Sequence, residues 1–238
     1  MRFSLEEAPF AGRTGNGVIV AVVDSGIHAG HPHVGGVKAG VCIVPGLEKS
    51  DFTDRLGHGT AVAAAIREKA PAAELLAVKV FDRQLSTTAD TLAVGIMWAA
   101  DHGAHLINLS LGTANASRRQ LLERTVEHAT KRGSIVVSAR ESGETVWFPG
   151  SLPAVAGVLL DWECGRDELD ARFDKAAATF RASGYPRPIP GVAPERNLSG
   201  ISFAVANVTG FLARMLEGRR EWGLREVVKE MRAMSPET

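Results

Sequence analysis

VIVAVVDSG, residues 18–26, places six consecutive apolar residues immediately before Asp24. A continuous apolar run rich in β-branched residues indicates a strand buried on both faces of a parallel sheet. Three similar runs lie at residues 75–81, 106–109 and 135–137. Helical segments between them cover residues 58–69, 88–102 and 117–132. The alternation predicts an α/β fold: a doubly wound, mostly parallel sheet with helices on both faces, in three layers.

The remainder of the chain is predicted to complete a single domain over residues 1–238, because no repeat, low-complexity tract or linker divides it. Residues 167–182 have a composition compatible with a helix. The stretch GYPRPIPG, residues 184–191, must be a loop, since proline interrupts both helices and strand ladders. Two closing helices are expected at residues 202–214 and 224–234.

Composition excludes several classes of protein. The 27 basic and 27 acidic residues cancel, which argues against a nucleic-acid-binding protein. No run of about 18 apolar residues is present, so no membrane span is expected. Two cysteines, Cys42 and Cys164, are too few for a disulfide scaffold and fit a reducing compartment. The N-terminal residues lack the apolar core of a signal peptide, so we expect a cytoplasmic protein without a signal or propeptide.

Three short polar segments stand at predicted element boundaries, around Asp24, His58 and Ser202. Ligands of open parallel sheets bind beyond the carboxyl ends of the strands, where such segments meet. Each residue alone has an ordinary explanation as a turn or helix-cap residue. Together, an acid, an imidazole and a hydroxyl are the parts of a relay in which a base activates a nucleophile.

The segments that carry these residues resemble those of the subtilisin-like serine proteases. AVVDSGIHAGHPHV (residues 21–34) is similar to the aspartate segment, GHGTAVAAAI (57–66) to the histidine segment and GISFAVANVTG (200–210) to the serine segment. The order of the three agrees with the family. The resemblance implies that Ser202 is the nucleophile, His58 the general base and acid, and Asp24 the residue that fixes the imidazole tautomer.

The same resemblance implies a substrate-binding groove. LINLSLG, residues 106–112, resembles the edge to which a peptide adds as a strand, so Ser110, Leu111 and Gly112 are expected to bind substrate. The opposite wall of the specificity pocket would be formed by three consecutive residues, Ser138, Ala139 and Arg140. No cofactor is implied. The histidines His28, His31 and His33 have a spacing that could ligate a metal, but they match ordinary loop sequence of the family, and no metal site is expected.

Departures from the family pattern concentrate around the reaction centre. Glu141 stands where the family places the asparagine that donates to the oxyanion, and Ile201 replaces the threonine before the serine. Arg140 replaces a glycine of the pocket wall, and Trp147 replaces a small residue at the pocket floor. An ionised carboxylate repels an oxyanion, so impaired catalysis and a narrowed pocket are expected.

Three functions remain open on this basis. The first is a serine endopeptidase with specialised or reduced activity, in which Glu141 is neutralised by burial or low pH, or the substrate or a partner protein supplies the missing donor. Such an enzyme could process a precursor peptide. The second is a catalytically weakened protein that binds a peptide or a partner. The third is a peptide ligase or macrocyclase, in which an amine takes the acyl group. A peptide or protein substrate, without nucleic acid or membrane, is common to all three.

Overall fold

The computed structural model describes residues 1–174 and 177–234. Its strands are β1 (Arg2–Ser4), β2 (Ile19–Asp24), β3 (Ala39–Cys42), β4 (Glu74–Lys79), β5 (Leu106–Leu109), β6 (Ile135–Ala139), β7 (Glu141–Ser142), β8 (Thr145–Val146), β9 (Ala156–Leu160), β10 (Glu168–Phe173) and β11 (Ala178–Ala182). Its α-helices are α1 (His58–Lys69), α2 (Ala89–Asp101), α3 (Arg119–Lys131), α4 (Ile201–Leu216) and α5 (Leu224–Ala233). Short 3₁₀ turns precede α3 and α4.

Nine of the described strands form one sheet in the order β1-β10-β11-β9-β6-β5-β2-β4-β3. The strands from β11 to β3 run parallel, and β1 and β10 add an antiparallel edge. The hairpin of β7 and β8 lies outside this sheet. The expected doubly wound, mostly parallel α/β architecture is confirmed.

Helices cover both faces of the sheet and bury two separate apolar clusters. Side chains of β2, β5 and β6 alternate between the clusters, as the two-residue repeat of a strand requires. Val22 and Val137 join the cluster that contains residues of α1 and α4. Val23 and Val136 join the cluster that contains residues of α2 and α3. None of the described helices is long and apolar enough to cross a membrane.

The expectation of a helix over residues 167–182 is wrong. The described part of this stretch forms two antiparallel strands, β10 and β11, with Ala171 opposite Phe180. Residues 175 and 176 lie outside the described residues. In β11 the burial alternates along the strand, with Ala178, Phe180 and Ala182 buried, so pairing with β9 in the sheet overrides the local composition. The proline-rich stretch that follows is a loop, as predicted.

The parallel strands bring three sequence-distant segments to one edge of the sheet. Register places Val23 of β2 opposite Leu109 of β5, and Leu109 opposite Ser138 of β6. The residues that follow these strands therefore stand side by side at the carboxyl edge, where ligands of such sheets bind. Helices α1 and α4, which carry His58 and Ser202 near their N-termini, pack together on one face.

Candidate active site

Asp24 and His58 form a hydrogen-bonded pair at this edge. Asp24 ends β2 and is fully buried, and His58 opens α1 with 16% of its side chain exposed. His58 Nδ1 lies 2.8 Å from Asp24 Oδ1. Because an ionised carboxylate can only accept, Nδ1 carries the proton when Asp24 is ionised. The lone pair of the neutral ring is then on Nε2.

Two carboxylates act on the protonation of His58. Burial alone disfavours the imidazolium, but the hydrogen bond to Asp24 and the charges of Asp24 and Asp54 outweigh it, and the pKa of His58 is raised above its ordinary 6.5. A raised pKa means that the surroundings stabilise the protonated ring. The arrangement therefore suits a base that becomes cationic during a reaction.

Asp54 also belongs to this network, and it is not among the residues predicted from the sequence. Its carboxylate accepts hydrogen bonds from the backbone N–H groups of Leu56, Gly57 and Thr60, each at 2.9 Å, and from the Thr60 hydroxyl at 2.7 Å. Burial opposes its ionisation, but these bonds and one from Ser25 hold the pKa of Asp54 below its ordinary 3.8. Asp54 thus satisfies N–H groups at the start of α1 and fixes the segment that carries His58.

Ser25 joins the two carboxylates. Its backbone N–H donates to Asp24 Oδ1 at 2.7 Å, and its hydroxyl lies 2.8 Å from Asp54 Oδ1 and 3.2 Å from Asp24 Oδ1. The same hydroxyl oxygen accepts the N–H of Gly59 at 3.0 Å. A sequence signal for this arrangement exists: an aspartate shortly before a predicted helix is a common partner of helix N-terminal N–H groups.

Gly59 allows α1 to approach β2 this closely. A Cβ atom at Gly59 would overlap the carbonyl oxygen of Gly26 and would lie 3.2 Å from Asp24 Oδ1. A side chain there would separate the helix from the strand. The glycine after His58 is therefore required by the contact that pairs the imidazole with Asp24.

Ser202 lies at the N-terminus of α4, next to the end of β5. Gly200 caps the helix with φ of 135°, a conformation that L side chains rarely adopt. The Ser202 hydroxyl donates to the carbonyl oxygen of Ser110 at 3.3 Å, which is its one hydrogen bond within residues 1–174 and 177–234. The ring of Phe203, the next residue, is 5.8 Å from the His58 ring between centroids. The structure thus places Ser202 beside the end of β5, and it places the ring of the following residue, Phe203, near the histidine.

A buried polar chain connects Ser110 to the middle of α4. Asn108 Nδ2 donates to the Ser110 hydroxyl at 3.0 Å, and the Thr209 hydroxyl lies 2.9 Å from Asn108 Oδ1. Asn108 and Thr209 are fully buried. Because a buried amide without partners is costly, this chain holds the end of β5 in a defined position relative to the helix that carries Ser202.

Leu111 and Gly112 follow Ser110 with their backbone groups open. No hydrogen bond of the described residues involves the backbone N–H or C=O of either residue. Thr113, by contrast, exchanges two hydrogen bonds of 2.9 Å with Phe148. A short open edge of this kind can accept an extended peptide as an added strand.

The expected opposite wall lies after β6, adjacent to this edge. Ser138 and Ala139 are buried within β6, and Arg140 is half-buried immediately after it. The Arg140 backbone is fixed by bonds of 2.9 Å to Val158 O and from Trp147 N–H. Trp147 is half-buried and lines a cleft of about 290 Å³ together with Leu111 and Gly112. The structure therefore brings Trp147 together with Leu111 and Gly112 in one cleft, whereas Ser138, Ala139 and Arg140 do not line that cleft.

Glu141 and Ile201 have different surroundings. Glu141 is exposed in β7, opposite Val146 of β8. The proposed neutralisation of this carboxyl group by burial is therefore wrong, because its position on the hairpin leaves it in solvent. Ile201 is half-buried and packs against the core cluster of α1 and α4, which accounts for an apolar residue before Ser202.

Metal-ligating side chains and thiols are the remaining groups with distinctive chemistry. Within the described part of the chain, no group of three or more His, Cys, Asp or Glu side chains is arranged to hold a metal ion. Cys42 and Cys164 are free and buried, and burial raises the pKa of both thiols. Buried thiols with raised pKa values are poor nucleophiles.

Known proteins resemble this chain over most of its length. The model of the subtilase family, Peptidase S8, matches residues 15–155. The chain is 34% identical over 236 residues to Subtilisin Savinase of Lederbergia lenta, covering 91% of this chain and 83% of that protein. The chain belongs to the subtilase family. This subtilase is also 34% identical to M-protease of Shouchella clausii (strain KSM-K16), covering 91% of its own residues and 59% of the relative.

Solved structures share the fold of this subtilase. A cold-adapted subtilisin-like serine proteinase superposes with a TM-score of 0.76 at 21% identity, covering 95% of this chain and 85% of the other. Sphericase superposes with a TM-score of 0.70 at 20% identity, covering 93% and 84%. The chain thus spans most of these two structures but only about three fifths of M-protease. The expected family and fold are confirmed.

Proposed function

We propose that this subtilase is a serine endopeptidase with specialised or reduced activity, in which Ser202, His58 and Asp24 form the catalytic triad. One observation carries the proposal. The Asp24–His58 pair lies at the carboxyl edge of the sheet, and the Ser202 hydroxyl donates to Ser110, the residue that precedes the free strand edge Leu111–Gly112. Catalytic Ser-His-Asp groups are recognised by such geometry and roles, and their chain order differs between folds.

Acylation follows from these positions. When a peptide lies along Leu111 and Gly112, the Ser202 hydroxyl turns from the Ser110 carbonyl towards His58 Nε2, to which it transfers its proton. Ser202 Oγ then forms a bond to the peptide carbonyl carbon, and the C–N bond breaks as His58 returns the proton to the departing amine. Asp24 keeps the Nδ1 proton in place and stabilises the imidazolium. Catalytic hydrogen bonds are commonly long or misaligned before substrate binds.

Deacylation repeats the sequence with water. His58 Nε2 takes a proton from water, the water oxygen attacks the acyl carbon, and the ester bond to Ser202 breaks as His58 returns the proton to Oγ. The raised pKa of His58 favours the protonated ring in both steps. The free enzyme needs the neutral ring, so activity should rise as pH increases through the pKa of His58.

Oxyanion stabilisation is where this site is weak. The backbone N–H of Ser202 makes no hydrogen bond within the described residues and lies in the first turn of α4, where the helix dipole favours negative charge. The expected second donor position holds Glu141, an exposed acid. In a member of this family, loss of that donor lowers the rate about 10²–10³-fold. Slow, selective turnover is therefore proposed.

The groove sets the proposed substrate class. Trp147 lies beside Gly112, and Arg140 stands in the proposed wall. These two large side chains narrow the space next to the scissile bond, and the narrow space favours a small residue on the acyl side. An extended segment of a precursor peptide fits the open edge at Leu111 and Gly112. Selectivity matters more than speed in such processing. The two free, buried thiols are compatible with a cytoplasmic location, which we propose for the enzyme.

Labelling of the serine tests the proposal directly. The purified protein would be treated with a fluorophosphonate probe from about pH 5 to about pH 9, with intact-mass detection. A Ser202→Ala variant is the first control, and Ser199→Ala, which removes a neighbouring hydroxyl, is the second. Mass increase in the wild type and the Ser199→Ala variant, but not in Ser202→Ala, is expected.

A second function is supported by Glu141 alone. If no labelling occurs at any pH, the protein is a weakened subtilase that binds a peptide or partner protein. If labelling occurs and an added amine takes the acyl group faster than water, a ligase or macrocyclase activity replaces hydrolysis. Addition of a candidate partner that restores labelling would make that partner a contributor of the missing donor.

A further inference from the structure

A cavity of about 290 Å³ opens next to the segment that carries His58, and it shares no lining residue with the cleft at Leu111 and Gly112. It lies between α1, the loop after β2 and the proline-rich loop, defined as residues 184–198. Gly57, which precedes His58, and Leu198, four residues before Ser202, both line it. We name it the histidine cavity, because His28, His31 and His33 stand around it.

The position of the histidine cavity follows from the strand order. The groove residues follow β5 and β6, whereas the loop containing the histidines follows β2, on the other side of β5 from β6. In the proposed function, the acyl side of a peptide whose scissile carbonyl is at Ser202 lies over β5 and β6, because the groove residues follow these strands. Its leaving-group side must therefore run away from these strands, towards β2 and the histidine cavity.

Cationic and neutral donor groups dominate the polar lining. The half-buried guanidinium of Arg187 has no carboxylate within ion-pair distance among the residues that the structure describes. The rings of His31 and His33 meet edge to face at 5.1 Å, and His31 Nδ1 accepts the backbone N–H of His33 at 3.2 Å. A neutral His31 therefore keeps its proton on Nε2, where it is a donor.

The acidic groups nearby are already engaged. Asp54 lines the cavity, but its oxygens accept five hydrogen bonds from Ser25 and the start of α1. Glu68, which acts electrostatically on His33, contacts Arg166 and Lys69.

The neighbouring cation is engaged as well, because Arg67 donates to backbone carbonyl groups. Arg187 is thus left as a cation that an incoming anion can pair with.

Apolar side chains complete the lining of the cavity on two sides. Ile189 and Leu198, on the proline-rich loop, expose 44% and 50% of their surface, and Ala61 and Ala64 of α1 form the opposite side. An aliphatic stem with a carboxylate end matches this combination, because its carbons contact apolar side chains while its charge meets Arg187.

We propose that the histidine cavity binds a carboxylate on the leaving-group side of the scissile bond, an inference that rests on the proposed peptidase function. The carboxylate is either a glutamate side chain or the C-terminus of a short leaving segment. Arg187 pairs with it, and His31 donates a further hydrogen bond. The substrate class is accordingly a precursor peptide with an acidic group shortly after the cleavage point.

Matched peptides test the proposal. Four internally quenched peptides share one acyl-side sequence of small residues. After the cleavage point they carry either Ala-Glu-Ala or Ala-Gln-Ala, and each of these two sequences is made with an amidated and with a free C-terminus. About tenfold higher kcat/KM is expected for Glu than for Gln, a ratio equivalent to about 1.4 kcal/mol. A preference for the free C-terminus in the Gln series would identify the terminal carboxylate as the ligand instead.

Variants locate the preference. Arg187→Gln is expected to bring the ratio of kcat/KM for the Glu peptide over the Gln peptide close to one. Arg124→Gln, an exposed arginine of α3, is the control and should keep the wild-type ratio. Should Arg187→Gln lower the melting temperature, His31→Gln serves as the second variant. Equal cleavage of all four peptides by the wild type, or an acid preference that persists in Arg187→Gln, overturns the proposal.

Failure of the peptidase function would be visible separately. The fluorophosphonate probe reports the nucleophile regardless of leaving-group preference. If neither labelling nor cleavage occurs, binding of the same peptides is measured by NMR on the isotope-labelled protein. Chemical-shift changes of His31 and His33 that require a carboxylate in the peptide, and that vanish in Arg187→Gln, would support carboxylate binding in the histidine cavity without peptidase activity. Absence of such shifts would overturn it.

Discussion

The hydroxyl of Ser25 lies 2.8 Å from Asp54 Oδ1 and 3.2 Å from Asp24 Oδ1, so a single side chain bridges two carboxylates beside His58. Asp24 contacts the imidazole directly, whereas Asp54 acts through Ser25, the start of α1 and its charge. Asp54 is therefore a positioning residue, and its effect on His58 is open to measurement.

Replacing Asp54 by Asn should lower the pKa of His58. The charge of Asp54 raises that pKa, so its removal weakens the stabilisation of the imidazolium. The pH at which activity rises with deprotonation of His58 should therefore decrease. The midpoint of the NMR titration of the His58 ring should decrease with it. Asp51→Asn is the control, because Asp51 is paired with Arg55 and does not act on His58. Equal His58 titrations in wild type and Asp54→Asn would contradict the assignment.

Asp54 should also govern stability in acid. Its pKa is lower in the folded protein than the ordinary 3.8, so its contribution is present above about pH 3.8 and is lost as pH falls through the folded value. Asp54→Asn should destabilise the protein by about 1–3 kcal/mol at neutral pH, since hydrogen-bonded groups lose a charged acceptor. Urea unfolding should show that the difference shrinks below about pH 3.8. A difference independent of pH would contradict this account.

Glu141→Asn should raise the acylation rate of Ser202 by roughly 10²-fold, because an amide can donate to the oxyanion and the repulsive charge is removed. Stopped-flow labelling with the fluorophosphonate gives this rate. Glu144→Asn, an exposed position in the turn of the same hairpin, is the matched control and should leave it unchanged. If both variants behave like the wild type, Glu141 does not face the reaction centre.

Trp147→Gly should open the specificity pocket. Trp147 lies beside Gly112: a Cβ atom added at Gly112 would be 3.5 Å from the Cβ atom of Trp147. Removal of the indole therefore empties space next to the groove. Cleavage of peptides with phenylalanine on the acyl side should increase relative to those with alanine, measured as the ratio of kcat/KM. Trp162→Gly, at an exposed turn, should leave this ratio unchanged. A ratio that stays constant in Trp147→Gly would place the pocket elsewhere.

Thr209→Val should weaken both the fold and the site. It leaves the fully buried Asn108 Oδ1 without its partner, at a cost of about 1–3 kcal/mol. Because Asn108 also holds Ser110, kcat should fall as well. Thr125→Val is the control. Like Thr209, Thr125 is buried and its hydroxyl contacts the carbonyl oxygen of the residue four positions earlier, but Thr125 lies on α3, which packs on the other face of the sheet. A similar loss of kcat in both variants would show a purely structural effect.

Much of the fold was predictable because the strongest signals were local. The continuous apolar runs of β2 and β5 and the helix of residues 58–69 appear in the structure with nearly the expected bounds. The antiparallel pair β10–β11 was not predictable, because its sequence has helical composition and only pairing with β1 and β9 extends it. The hairpin that carries Glu141 was also missed.

The sequence by itself determined the parallel α/β sheet, the family and the residues proposed for catalysis, since apolar periodicity and three short motifs are properties of contiguous residues. Only the tertiary structure decided that Asp54 joins the Asp24–His58 pair, that Glu141 is exposed and that Arg187 lacks a carboxylate partner in the described residues. Burial, hydrogen bonding and ion pairing depend on groups from distant segments, and folding alone brings those segments together.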